Sequence, residues 1–257
     1  MSGHSKWAQI KRQKGVTDIK RGQIFTKLAN AITIAVKQGG GIGDPSQNFR
    51  LRLLIEKARA VNMPKSNIDR AIQRAQGKQA EQVENVTYEG FGPNGIAIII
   101  EAVTDNKLRT TSEVKNLFDK NGANLGIPGS VSYMFQTKGL ISVKKNEKTI
   151  DDIFLVAADL GAEDVEDVLK SAIIYTKPEE LTKIKDALTA KGFIVEDFEL
   201  ARKPLTEIQI TNKDTANKIL AFIEKLEDLD EVQKVYSNFD IQESLITFSE
   251  FQESNTD

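Results

Sequence analysis

The sequence predicts an α+β fold: an N-terminal three-helix bundle followed by two α/β sandwich-like domains, the third, ferredoxin-like, inserted into the second. Three observations lead there. Apolar residues in the first 80 positions recur at helical spacing. Residues 81–257 alternate short apolar strands with amphipathic helices. Within them, the block 138–203 reads βαββαβ, the order of a split βαβ unit.

Taken in order, residues 1–16 are polar and basic, apolar only at Trp7, Ala8, Ile10 and Val16, and are expected to order on a partner. Thr17 suits an N-cap, and Ile24, Phe25, Leu28, Ile32 and Ala35 form the stripe of a first helix that stops at Gly39. Asp44-Pro45 opens a second helix, with Leu51, Leu54, Ile55 and Ala58 at i, i+3, i+4 and i+7. Pro64 starts a third, carrying Ile68, Ala71, Ile72 and Ala75 and ending at Gly77.

Strands follow at 86–91 and 95–103, joined by Gly-Pro-Asn-Gly. A helix capped by Thr110, with Glu113 completing a capping box, buries Val114, Leu117 and Phe118. Val131, Tyr133 and Phe135 alternate with polar residues as a strand. The next block holds a strand at 140–143, a helix from Thr149, strands at 163–169 and 171–176, a helix at 178–191 and a strand at 193–201. A strand at 205–211, a helix from Asp214 and a strand at 232–241 have too little sheet to stand alone, and are expected to join the strands of 86–136. The expected domains are therefore 1–80, 81–137 with 204–250, and 138–203, leaving 251–257 as a tail.

Charge divides the chain. Residues 1–80 hold 16 Lys/Arg against four Asp/Glu, a net +12, while the other 177 hold 19 against 33, a net −14. Such asymmetry predicts a polyanion-binding module joined to a different one. Trp7 among the lysines of the arm adds a stacking platform to phosphate contacts. A membrane surface and an acidic protein partner are the alternatives for this face. The Ala-rich stripes argue for core rather than a lipid-facing helix.

Catalytic chemistries are narrowed by composition. There is no cysteine, and His4 is the only histidine, so disulfides, thiolate zinc and HExxH sites are excluded. The run Gly39-Gly40-Gly41-Ile42-Gly43 follows a helix and lacks a Gly-Lys-Ser/Thr ending, so it reads as a connector, with backbone approach to a phosphate as the alternative. The acidic clusters Asp151-Asp152, Glu163-Asp164, Glu166-Asp167 and Glu227-Asp228 with Asp230-Glu231 fall at helix starts and turns, where water normally reaches. No metal, cofactor, small-molecule substrate or catalytic residue is expected. The longest purely apolar run, Ile96 to Ile100, is strand length, and no membrane association is expected.

Several segments resemble the YebC family, whose organellar member is the translational activator of cytochrome c oxidase. They are GHSKW (3–7), KRGQIFTKL (20–28), GGGIGDP (39–45), LRLLIEKARAVNMPKSNIDRAI (51–72), YEGFGPNG (88–95) and KNGANLGIPGSV (120–131). One departure is Asn48-Phe49 before Arg50, where the family commonly has proline. The resemblance implies a three-domain fold with the third domain inserted into the second. It also implies a cytoplasmic regulator of transcription that binds DNA, or alternatively a ribosome-associated translation factor that binds ribosomal RNA and tRNA and relieves stalling on proline-rich stretches. It assigns no catalytic residues. The expected nucleic-acid contacts are Lys6, Trp7, Lys11, Arg12 and Lys14 on the arm, Lys20, Arg21 and Lys27 on the first helix, and Arg50, Arg52 and Arg59 as a second row.

Overall fold

A computed structural model of the chain describes residues 18–76, 83–146, 148–241 and 245, and of residues 18–21 the backbone only. Thr17, Gly77 and the polar C-terminal residues lie outside that range. The described chain forms two compact units, one from residues 18–131 and 210–237, the other from Ser132–Gln209 and 238–241.

The first unit opens with three helices: α1 (Asp18–Gln38), α2 (Phe49–Ala60) and α3 (Lys65–Gln76). Their stripes meet in one core of Ile32, Val36, Leu51, Ile55, Ala58, Met63, Ile68, Ala71 and Ala75. Thr33, fully buried on α1, donates across the helix pair to Ala71 O at 3.1 Å. Gly40 and Gly41 adopt positive φ, and the Gly41 N–H closes on Val36 O at 2.9 Å, which ends α1. The second helix starts four residues later than expected. Asp44 instead makes a turn, accepting from the Ser46 N–H at 2.9 Å, and Asn48 caps α2 by accepting from the Leu51 N–H at 3.0 Å.

A four-stranded antiparallel sheet follows in the same unit, ordered β3-β1-β2-β9: β1 (Glu84–Phe91), β2 (Ala97–Thr104), β3 (Asn124–Leu125) and, from the far end of the chain, β9 (Val232–Ser237). Tyr88 pairs with Ile100 and Gly90 with Ile98, so strand alternation puts these four on one face. Helices α4 (Lys107–Lys120) and α7 (Lys213–Glu227) cover it, with the Phe118 and Phe222 rings edge to face at 5.2 Å. A side chain at Gly90 would collide with Phe118, so the glycine admits α4 to the sheet. On the other face Val103 packs with Val83 and with Ile34 of α1.

In the second unit β4 (Phe135–Lys144), β5 (Asp164–Val168), β6 (Ser171–Thr176) and β7 (Val195–Pro204) form an antiparallel sheet ordered β5-β6-β4-β7. Helices α5 (Ile150–Asp159) and α6 (Leu181–Ala190) close its core of Ile141, Val143, Ile153, Ala172, Ile174, Ile184 and Leu188. This is the ferredoxin-like arrangement, and the return of β9 to the first sheet makes it an insertion.

Three further expectations need correction. α4 starts at Lys107, not Thr110, because Asn106 already caps it by accepting from the Arg109 N–H at 3.1 Å. Thr110 is buried inside the helix, bonded to Thr104 Oγ1 at 2.9 Å. Residues 131–134 are not a strand. The Val131 N–H donates to the buried Glu89 carboxylate at 2.8 Å instead of to a ladder, and Ser132–Met134 is a 3-10 turn. The strand expected at 205–211 shortens to β8 (Ile208–Ile210). It pairs in a two-stranded ribbon with β10 (Phe239–Ile241), which Asn238 separates from β9.

Candidate nucleic-acid interface

Helical phase decides which cations of the bundle reach solvent. On α2 the core stripe points one way, and at 100° per residue Arg52 and Arg59 leave on one flank about two turns apart. Arg50 leaves on the other flank, where its guanidinium meets the Gln38 side chain of α1. Arg50, Arg52 and Arg59 are all exposed, as are Lys65 and Arg70 on α3. Arg52, Arg59, Lys65 and Arg70 have no ion-pair partner among the described residues.

Other cations of this segment turn inward. Lys27 is half-buried, and its ammonium donates to Glu227 O at the C-terminal end of α7. Gln23 reaches Asp228 O at 3.4 Å, and Lys37 reaches Val83 O at 2.7 Å. A cation over the last carbonyls of a helix satisfies groups that lack intrahelical partners and complements the helix dipole. Arg74 donates to Asn30 Oδ1 at 3.4 Å and lies 3.7 Å from Asp105. Asp105 in turn meets Arg109 at 3.1 Å, and Arg109 meets Glu231 at 2.5 Å. These groups line a cleft of about 210 Å3. The hydrogen bond and charge of Glu231, aided by Asp105, hold the Arg109 guanidinium even more firmly protonated than usual.

Lys20 and Arg21 lie in the first turn of α1. Lys6, Trp7, Lys11, Arg12 and Lys14 lie outside the described residues. Of the sequence-derived set, the structure therefore gathers Arg52 and Arg59 on one flank, separates Arg50 from them, and turns Lys27 toward α7. In the glycine run, the N–H groups of Gly39, Gly40 and Gly41 all donate to α1 carbonyls, so they hold the helix end rather than face outward.

Sequence reasoning missed Phe49. It is 46 % exposed, and the Arg52 guanidinium sits 5.3 Å from its ring centroid. The signal was present: position 49 falls opposite the Leu51, Leu54, Ile55 and Ala58 stripe, so its ring has no place in the core. Among the described residues no helix is long and apolar enough to cross a membrane, and no cluster of His, Asp or Glu could hold a metal ion.

The fold and this face define a modular α+β protein whose helical part presents cations to solvent. Two family models match the chain: the TACO1/YebC N-terminal domain over residues 5–78 and the TACO1/YebC second and third domain over residues 83–239. The chain belongs to the TACO1/YebC family. A probable transcriptional regulatory protein of Chloroflexus aurantiacus is 53 % identical over 249 residues, covering 96 % of this chain and 98 % of the relative. One of the same description from Persephonella marina is 47 % identical over 248 residues, with the same coverage of 96 % and 98 %. A solved structure of a conserved hypothetical protein from Aquifex aeolicus is 42 % identical, covers 90 % of this chain and 94 % of its own, and superposes with a TM-score of 0.82.

Proposed function

We propose that this chain is a non-enzymatic, cytoplasmic regulator of transcription that binds DNA through its helical domain, residues 1–80. Residues 138–203 are an insert between 81–137 and 204–250. The observation that carries the reading is the set of exposed cations on α2 and α3. Arg52, Arg59, Lys65 and Arg70 lack ion-pair partners among the described residues, in a segment of net charge +12. Exposed guanidinium and ammonium groups without counter-charges suit phosphates, and their binding releases counterions. The names of the relatives point to transcription.

The test is the salt dependence of duplex binding. Each phosphate neutralised contributes about −0.9 to the slope of log affinity against log salt. About five engaged cations give a slope of about −4.5. Arg52→Ala and Arg59→Ala should each weaken binding and flatten the slope by about one. A slope near zero on every nucleic acid would overturn the proposal. If the same variants instead release the protein from ribosomes and leave duplex DNA unaffected, the face reads ribosomal RNA or tRNA.

A further inference from the structure

We propose that Phe49 is a base-stacking platform, taking one unpaired nucleobase against its ring while Arg52 and Arg59 hold neighbouring phosphates. The inference rests on the nucleic-acid reading of the basic face and narrows its ligand to a strand with an unpaired base.

The ring takes no part in the core of the bundle. Phe49 points away from the apolar stripe of α2 and keeps 46 % of its surface exposed. Its position is nevertheless fixed. Asn48 caps the helix just before it, and the Arg52 N–H bonds to Asn48 O at 3.0 Å, so Phe49 and Arg52 share one rigid first turn. A residue held in the first turn of a capped helix loses little freedom on binding.

The surroundings select the ligand. The Arg52 guanidinium lies over one face of the ring at 5.3 Å, a cation–π contact of the kind that also flanks stacked bases, and the base takes the ring surface that stays exposed beside it. Arg59 follows on the same flank. Glu56, exposed between Arg52 and Arg59, has no ion-pair partner among the described residues. A carboxylate there offsets part of the electrostatic contact with phosphates, and a stacked base adds a contribution that is not charge. A lone ring among arginines is also a poor apolar surface for a protein partner, whose contacts need a contiguous patch. A base has a π-face to meet the ring and phosphates to meet the arginines. In a duplex that π-face is covered by neighbouring base pairs, which leaves unpaired bases as the ligand.

The experiment compares full-length wild-type protein with Phe49→Ala and Phe49→Trp. The probes are a labelled single-stranded DNA 20-mer carrying 2-aminopurine, its RNA counterpart and the matching DNA duplex. Phe49→Ala should bind single strands at least about fivefold more weakly, with an unchanged salt slope and less than twofold loss on the duplex. It should also lose the quenching of 2-aminopurine. Phe49→Trp should restore both. The DNA and RNA strands show which backbone the site accepts. Wild-type affinity in Phe49→Ala, or equal loss on duplex and single strands, would overturn the inference and leave the basic face standing. If wild-type protein binds none of the three probes, the nucleic-acid reading itself falls, and this inference with it.

Discussion

A single buried amide joins three pieces of the helical bundle. Asn48 accepts from the Leu51 N–H at the start of α2, donates to Ala35 O near the end of α1 at 3.0 Å, and donates to Ile42 O in the connecting loop at 3.2 Å. The same side chain explains Gly39, where an added Cβ would sit 2.4 Å from Asn48 Nδ2. Asn48→Ala removes a cap worth about 1 kcal/mol, strips Ile42 O of its donor and leaves Ala35 O with only the Gly39 N–H, for a total near 2–3 kcal/mol. Asn48→Asp keeps the cap but not the two donated bonds, so it should recover only part of that loss. Urea unfolding of the two variants, with hydrogen exchange of the first-turn amides of α2, measures the difference. A full recovery in Asn48→Asp would show that the cap alone matters. This residue was legible only in part: Asn before a helical stripe signals an N-cap, but nothing in the sequence says that its amide also spans 13 residues back to Ala35.

At the scale of the element, α5 shows local chemistry setting a boundary. The Thr149 side chain accepts from the Asp152 N–H at 3.2 Å, and the Asp152 carboxylate accepts from the Thr149 hydroxyl at 2.7 Å and from its backbone N–H at 3.1 Å. The Thr149 side-chain bond first, then its backbone N–H, hold the Asp152 carboxyl below the ordinary aspartate value of 3.8. The carboxylate's contribution is therefore complete above that unfolded-state value and is lost as pH falls through the lower folded-state one. Thr149→Ala should cost about 1 kcal/mol. It should also return the Asp152 titration, followed by carboxyl 13C shifts, toward its ordinary range. An unmoved titration would mean that the capping box does not set it. Thr149 was readable because its partner lies three residues away. The false start at Thr110 had the same local pattern, Thr with Glu three residues on, and lost to Asn106, whose cap is supported by Thr104 Oγ1 accepting the Asn106 N–H at 2.9 Å. Helix stripes were legible because burial imposes the 3.6 period directly. The failures at 131–134 and 205–211 occurred where a backbone N–H is claimed by a distant group, Glu89 Oε2 for Val131 and Met134 O for Leu205.

At the scale of the whole molecule, charge and packing divide the chain at different places. Net charge changes sign near residue 80. Packing does not, because α1 belongs to the same compact unit as the first sheet. Ile34 packs with Val83 and Val103, Lys27 and Gln23 bond to carbonyls 200 and 205 residues away, and Arg74 meets Asp105. Composition reveals the first division and is silent on the second, since these contacts join residues with no periodic relation. The two divisions make separate predictions for a fragment of residues 81–257. Its sheets keep every strand, and α4 and α7 keep the Phe118–Phe222 contact, so it should fold. It loses the cover of Val83 and Val103, worth about 1.5 kcal/mol each, and the cation over the end of α7, worth about 0.5 kcal/mol. At about 3 °C per kcal/mol for a chain of this size, it should melt roughly 10 °C below full-length protein. Its net charge of −14 should abolish binding to duplex DNA at every salt concentration. Thermal melting and fluorescence anisotropy read the two effects independently. An unchanged melting temperature would show that α1 contributes nothing to the sheet it touches. Binding as tight as that of full-length protein would move the nucleic-acid site out of the helical domain and into the acidic part of the chain.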